Sequence, residues 1–155
     1  KEERLDPTHL VCLPGNYWKI FEMQGHLKKR FGEWRGSGSI ANDIALTAEG
    51  VFHCALFAAP KIWDVAAGVL LVQEAGGEAL VRRPRGMKWY PLERFGRDPL
   101  SPPASLRELR EWKGTVMVGN KAIARFISDN LRRPLRGASK SKQSGQSTYK
   151  RKSRG

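Results

Sequence analysis

Short, dense apolar runs alternate along this chain with longer stretches in which apolar side chains return every third or fourth position. The two rhythms are those of buried strands and of helices with one apolar face. His9 to Leu13 reads as a strand closed by the Pro14-Gly15 turn. From Tyr17 to about Phe31, the spacing of Trp18, Ile20, Phe21, Leu27 and Phe31 predicts a helix, which Gly25 weakens. Ile40, Ile44 and Ala48, at intervals of four, predict a helix over Ile40 to Glu49, with Gly50 as its left-handed stop. Val51 to Phe57 is predicted as a buried strand. Ile62 to Gly77 reads as a helix capped by Asp64 and ended by Gly76-Gly77. Ala79 to Val81 and Thr115 to Val118 are further strands, and Asn120 caps a helix running to about Leu131, short of Pro134. Between them, residues 82 to 113 are rich in Arg, Pro and Gly and read as a long surface excursion with one short helix near Leu106 to Trp112. Trp89 and Trp112 are its expected anchors to the body.

Strands alternating with helices predict an α/β fold: a mixed, largely parallel sheet flanked by helices. The pattern stops at residue 133. Residues 1–133 are expected to form one domain, and residues 134–155, polar and without periodicity, a basic disordered tail.

Charge sharpens that division. The chain of 155 residues carries 28 Lys+Arg against 15 Asp+Glu, a net +13. Nine of those basic residues and no acidic ones lie from Arg132 to Gly155, which leaves the rest of the chain near +4. Such a tail could neutralise phosphates on nucleic acid; a solvated terminus with no specific partner is the plainer reading. No apolar run reaches the roughly 18–20 residues that span a bilayer, so no membrane partner is expected. Cys12 and Cys54 lie in apolar stretches and read as buried thiols of a reducing compartment, which with a highly charged start points to the cytoplasm. The chain does not begin with Met, and a fragment or processed product is expected.

Two places could carry chemistry. Gly36-Ser37-Gly38-Ser39 precedes a helix, where free backbone amides favour anions; a serine-capped flexible turn is the plainer reading. Asp64, beside Trp63 at a helix start, could offer an oxygen to a hard cation such as Mg²⁺, or serve as a plain cap. His9, His26 and His53 have no metal-ligand spacing.

The run from Trp63-Asp64 through Ala66-Ala67-Gly68 to Glu74-Ala75-Gly76-Gly77 resembles the inositol monophosphatase family, in the C-terminal half of its fold. Arg35, Gly38-Ser39, Gly50 and the strand to Phe57 stand upstream in the family's order, and Val116 to Asn120 stand downstream. The resemblance covers roughly residues 34 to 133. It implies a Mg²⁺-dependent phosphomonoesterase acting on small sugar or inositol phosphates, with Asp64 as a metal ligand. Gly38, Ser39 and Ile40 would face the substrate's alcohol portion.

Two departures are visible. Phe57 occupies the position where the family usually has an acid that binds substrate hydroxyls. The family's other metal ligands, an upstream glutamate and an Asp-Pro-Ile/Leu-Asp-Gly-Thr/Ser loop, have no counterpart, since Leu5-Asp6-Pro7-Thr8-His9 lacks the second Asp, the Gly and the hydroxyl. The implied protein is therefore the C-terminal part of such an enzyme, inactive by itself, with most Mg²⁺ ligands supplied elsewhere. A small phosphorylated substrate and a homodimer are its implied partners. The rival reading is a non-catalytic binding module that keeps the fold and contacts nucleic acid weakly through its tail.

Overall fold

The computed structural model of the chain describes residues 9–25, 27, 33–83, 86, 88–96 and 105–132. In chain order these form β1 (Val11–Cys12), α1 (Tyr17–Ile20), β2 (Glu22–Met23), β3 (Trp34–Arg35), α2 (Ile40–Ala48), β4 (Cys54–Ala58) and α3 (Ile62–Glu74). They continue with β5 (Glu78–Arg82), β6 (Trp89–Pro91), α4 (Leu106–Arg110), β7 (Thr115–Gly119), α5 (Lys121–Asn130) and β8 (Leu131–Arg132). The tail expected over 134–155, the Asp6-Pro7 step and His26 lie outside the described residues.

A sheet of order β3-β1-β4-β7-β5-β6 forms the middle layer. β1 runs parallel to both β3 and β4, while β7 is antiparallel to its neighbours β4 and β5, and β6 is antiparallel to β5. Four strands, β1, β3, β4 and β5, therefore point one way, in a mixed sheet. Side chains alternate between its faces. Ala55, Phe57, Val81, Val116 and Val118 meet Ile44 of α2 and Val65, Val69 and Val72 of α3. Cys54, Leu56, Leu80 and Met117 meet Ile123, Ala124 and Ile127 of α5. Helices thus cover both faces, the α/β layering that the alternation of elements implies.

Several local features differ from the sequence expectation, each for a visible reason. The helix expected to run on from Tyr17 is interrupted after one turn: Phe21 takes extended φ and ψ of −136° and 145°, and β2 follows, paired with β8, while most of the expected span beyond Gly25 lies outside the described residues. Phe21 is buried beneath the Arg82 guanidinium, 4.5 Å from its ring, so burial outweighs a periodicity that Gly25 had already weakened. The strand expected from Val51 starts at Cys54, because the Val51 and Phe52 amides instead bond the Leu46 carbonyl and close α2. The excursion after Arg82 is partly sheet: β6 pairs with β5, and Leu92 and Trp112 are core residues. Trp112 meets Phe95 edge-on at 5.1 Å.

Candidate functional site

Because β1, β3 and β4 are parallel, their carboxyl ends share one rim of the sheet, and the helices that follow β3 and β4 begin there. In open α/β sheets this rim is where ligands bind. A cavity of about 330 Å³ lies on it, lined by Cys12 and Leu13 after β1, Trp34 and Gly36 of the β3 end, Leu56 to Ala58 of β4, and Gly38, Ile40 and Asp43 at the start of α2. Pro14 and Gly15 complete the wall. Three of the sequence-predicted residues, Gly38, Ile40 and Phe57, thus share one cavity. Ser39 and Asp64 are not among its lining.

Ser39 has another task at the same place. It is the N-cap of α2, its Oγ accepting from the Asn42 N–H at 3.4 Å. Gly38, with φ of +85°, makes the approach in a conformation that glycine adopts readily. The Ser37 N–H donates to Asp43 Oδ1 at 3.0 Å, so the loop is held from its far side too. Asp43 itself is 4% exposed, a buried acid in the first turn of α2, where the helix N-terminus favours negative charge. Cys12 donates a hydrogen bond to it. Burial first, then the Asp43 charge and that bond, push the Cys12 thiol from 9.0 up to about 12.

Asp43, Cys12 and Trp34 were not picked out from sequence. For Asp43 a signal was present: it lies one residue before Ile44 and four before Thr47, both buried, so a charged residue falls on the inward face of a helix. Such a placement is rare without a partner. For Trp34, 47% exposed, no signal distinguishes it from other tryptophans of the chain.

Asp64 stands in the first turn of α3, half-buried, its N–H donating to the Lys61 carbonyl at 3.0 Å. The cap position expected for it belongs to Lys61. Lys61 is still extended and the helix begins at Ile62, so Asp64 lies inside its first turn. Ala59, between β4 and α3, has φ of +49°, a strained conformation for alanine that fixes the direction of entry. Trp63 is 65% exposed, with the Lys61 ammonium 5.9 Å from its ring.

What sets Asp64 relative to the cavity is the contact between α2 and α3. A Cβ on Gly68 would meet Ile44 Cγ2 at 2.5 Å, so the helices touch at a position where even one added methyl group requires Ile44 to shift. Asp64 is four residues before Gly68, and Ile40 four before Ile44. Asp64 and Ile40 therefore each lie about 6 Å, one turn, from the same contact and towards the same rim.

Among the described residues, no three His, Cys, Asp or Glu side chains stand together in a group that could hold a metal ion. Asp64 offers one carboxylate, whereas Mg²⁺ requires a nearly octahedral oxygen shell. These residues by themselves do not make a metal centre. The His9 and His53 rings meet at a tilt of 56°, centroids 4.1 Å apart, and Cys12 and Cys54 are buried free thiols. Among the described residues no helix is long and apolar enough to cross a membrane.

Residues 14–105 match the inositol monophosphatase family. An inositol-1-monophosphatase of Rhizobium meliloti is 28% identical over 121 residues, covering 78% of this chain and 37% of that protein. A fructose-1,6-bisphosphatase/inositol-1-monophosphatase of Aquifex aeolicus is 39% identical over 57 residues, 36% of this chain and 22% of that protein. Among solved structures, a staphylococcal IMPase-II superposes with a TM-score of 0.54 at 17% identity, over 84% of this chain and 45% of that one, a likeness of fold. The chain spans less than half the length of these relatives.

Proposed function

The chain belongs to the inositol monophosphatase family, and on that premise we propose that it forms the C-terminal part of a Mg²⁺-dependent phosphomonoesterase acting on a small phosphorylated alcohol. Residues 1–133 are its catalytic-fold domain and residues 134–155 a separate tail; a cytoplasmic homodimer is the proposed assembly. In this reading Asp64 gives one carboxylate oxygen to Mg²⁺, and the remaining ligands come from outside the described residues. Gly38, Ser39 and Ile40 face the alcohol part of the substrate, beside Phe57. The observation that carries the reading is the shared rim: the Asp64 turn of α3 and the Ser39-capped start of α2 are locked together by the Gly68–Ile44 contact, next to a cavity at the strand ends.

The chain's own residues do three things here. The α2 start presents backbone N–H groups, the buried Asp43 holds the loop before it, and Gly68 fixes the distance between the two helix starts. None of these supplies a nucleophile, and one carboxylate cannot neutralise a metal cluster, so this chain by itself should release no phosphate. The test is phosphate release from a panel of sugar, inositol and aryl phosphates, with the product of the complete coding sequence and with this chain. Turnover by the complete protein in Mg²⁺ that stops on chelation is expected. Turnover with none of the panel, or equal turnover in chelator, would overturn the reading.

A binding module that contacts nucleic acid is the second reading. It is favoured by the acid-free stretch with nine basic residues from Arg132, itself on the edge of a groove that also holds Lys88, Trp89, Asp129 and the Arg125–Glu78 ion pair. Salt-sensitive RNA or DNA binding that is lost on deletion of residues 134–155 would support it.

A further inference from the structure

The cavity on the strand rim has the wrong chemistry for a polyol. A polyhydroxylated alcohol buries many O–H groups, and each one left without a partner costs roughly 1–3 kcal/mol. Most side chains of the wall are apolar: Leu13, Pro14, Ile40, Leu56 and Phe57 offer no polar atom. Its polar side chains are Asp43 and Cys12, and they are already joined to each other, with Asp43 also accepting from the Ser37 N–H. A carboxylate has about four acceptor sites, so Asp43 keeps room for one or two further donors, not for a ring of hydroxyls.

Trp34 supplies what the wall lacks in polarity. It stands at the cavity 47% exposed, in a T-shaped contact with Tyr17 with ring centroids 6.1 Å apart. An indole braced by a neighbouring ring, with nearly half its surface in solvent, is a platform on which a flat ring can stack. The volume of about 330 Å³ lies at the small end of ligand pockets and suits one or two fused rings.

We propose that this cavity takes a phosphomonoester whose alcohol part is an aromatic or heteroaromatic ring, stacked on Trp34 and donating one hydrogen bond to Asp43. The proposal rests on the phosphomonoesterase reading for the phosphate, but the ring site stands on the cavity's own chemistry. The two are therefore tested by different readouts.

The ring site is read by NMR on the ¹⁵N-labelled full chain, titrated with indole, phenyl phosphate, myo-inositol and myo-inositol 1-phosphate. Indole and phenyl phosphate should shift the Trp34 indole N–H and the Gly36 and Gly38 amides, and the two inositol compounds should not. Trp34→Ala should weaken the aromatic probes about fivefold or more, the scale of a lost stacking contact, while Trp34→Phe keeps them. Trp34 is exposed, so these variants leave the core intact. Absence of shifts at those three sites with either aromatic probe overturns the proposal. So does equal or tighter binding of myo-inositol 1-phosphate, a result that leaves the phosphomonoesterase reading standing. Failure of that reading is seen separately, as absence of phosphate release by the complete protein from any ester of the panel.

Discussion

Cys12 and Asp43 show how much of this site rests on single buried groups. Each would be costly to bury alone, and each partly satisfies the other: the thiol donates and the carboxylate accepts. Since the Cys12 thiol is pushed from 9.0 up to about 12, its thiolate is scarcer by about 10³-fold at a given pH below 9, and burial pushes Cys54 the same way. Native protein at pH 8 should therefore react with a thiol reagent about 100-fold or more slowly compared with protein in denaturant. Rapid native labelling at either cysteine would contradict the burial described here. The linked effect on stability has a definite sign. Below pH 9 both states keep the proton and the contribution is intact. Above 9 the unfolded chain ionises first, so stability falls as pH rises from about 9 towards 12. Urea melts across that range should lose stability with rising pH more steeply with Cys12 in place than in Cys12→Ala. At this scale the sequence revealed only part of the site. It marked Asp64 and the Gly38-Ser39 step through their neighbours, but not Asp43 or Trp34, whose role depends on which strands are adjacent.

Helices are where the spacing of residues turns into geometry. The Asp64-to-Gly68 interval places an acid and a close-contact glycine one turn apart on α3, and the glycine sits on Ile44 of α2. Gly68→Ala would drive a methyl group into Ile44 and should destabilise the chain by about 1–3 kcal/mol, measured by urea denaturation. Ile44→Ala alone should cost about 2–5 kcal/mol through the space it empties. Combined, the two should cost at least ~0.5 kcal/mol less than their sum, because each relieves the other's fault. Strict additivity would show that the helices do not touch there. Elements with local signals were legible. Ser39 and Asn120 do cap α2 and α5, with Asn120 Oδ1 accepting from the Ala122 and Ile123 amides at 3.0 and 3.3 Å. Gly50 and Gly76, at φ of +81° and +83°, do stop α2 and α3. Elements set by long-range contacts were not: β2, β6 and β8 are two or three residues each and exist through pairing with distant partners. Phe21 ends α1 because its burial site lies off the helix axis, which a periodicity within one segment cannot report.

For the molecule as a whole, layering was legible and strand order was not. Alternating apolar runs and amphipathic stretches imply helices on a sheet, and both faces are covered as that implies. Nothing in the apolar pattern says that β7, late in the chain, inserts between β4 and β5 and runs opposite to both. Charge is divided in the same uneven way: the +13 of the chain is mostly in the run from Arg132, while the rim that carries the candidate site holds the two acids Asp43 and Asp64. Family membership and a span under half of the relatives' length bring these facts together. In the proposed reading the rim is one wall of a site, and Asp64, half-buried in the first turn of α3, is the acid that binds the metal. The most direct measurement is Mg²⁺-dependent phosphate release by the complete protein carrying Asp64→Asn, compared with Glu74→Gln at the far end of the same helix. The account predicts a loss of about 100-fold or more for Asp64→Asn with unchanged urea stability, and near-normal turnover for Glu74→Gln. Equal turnover in the two variants would contradict it.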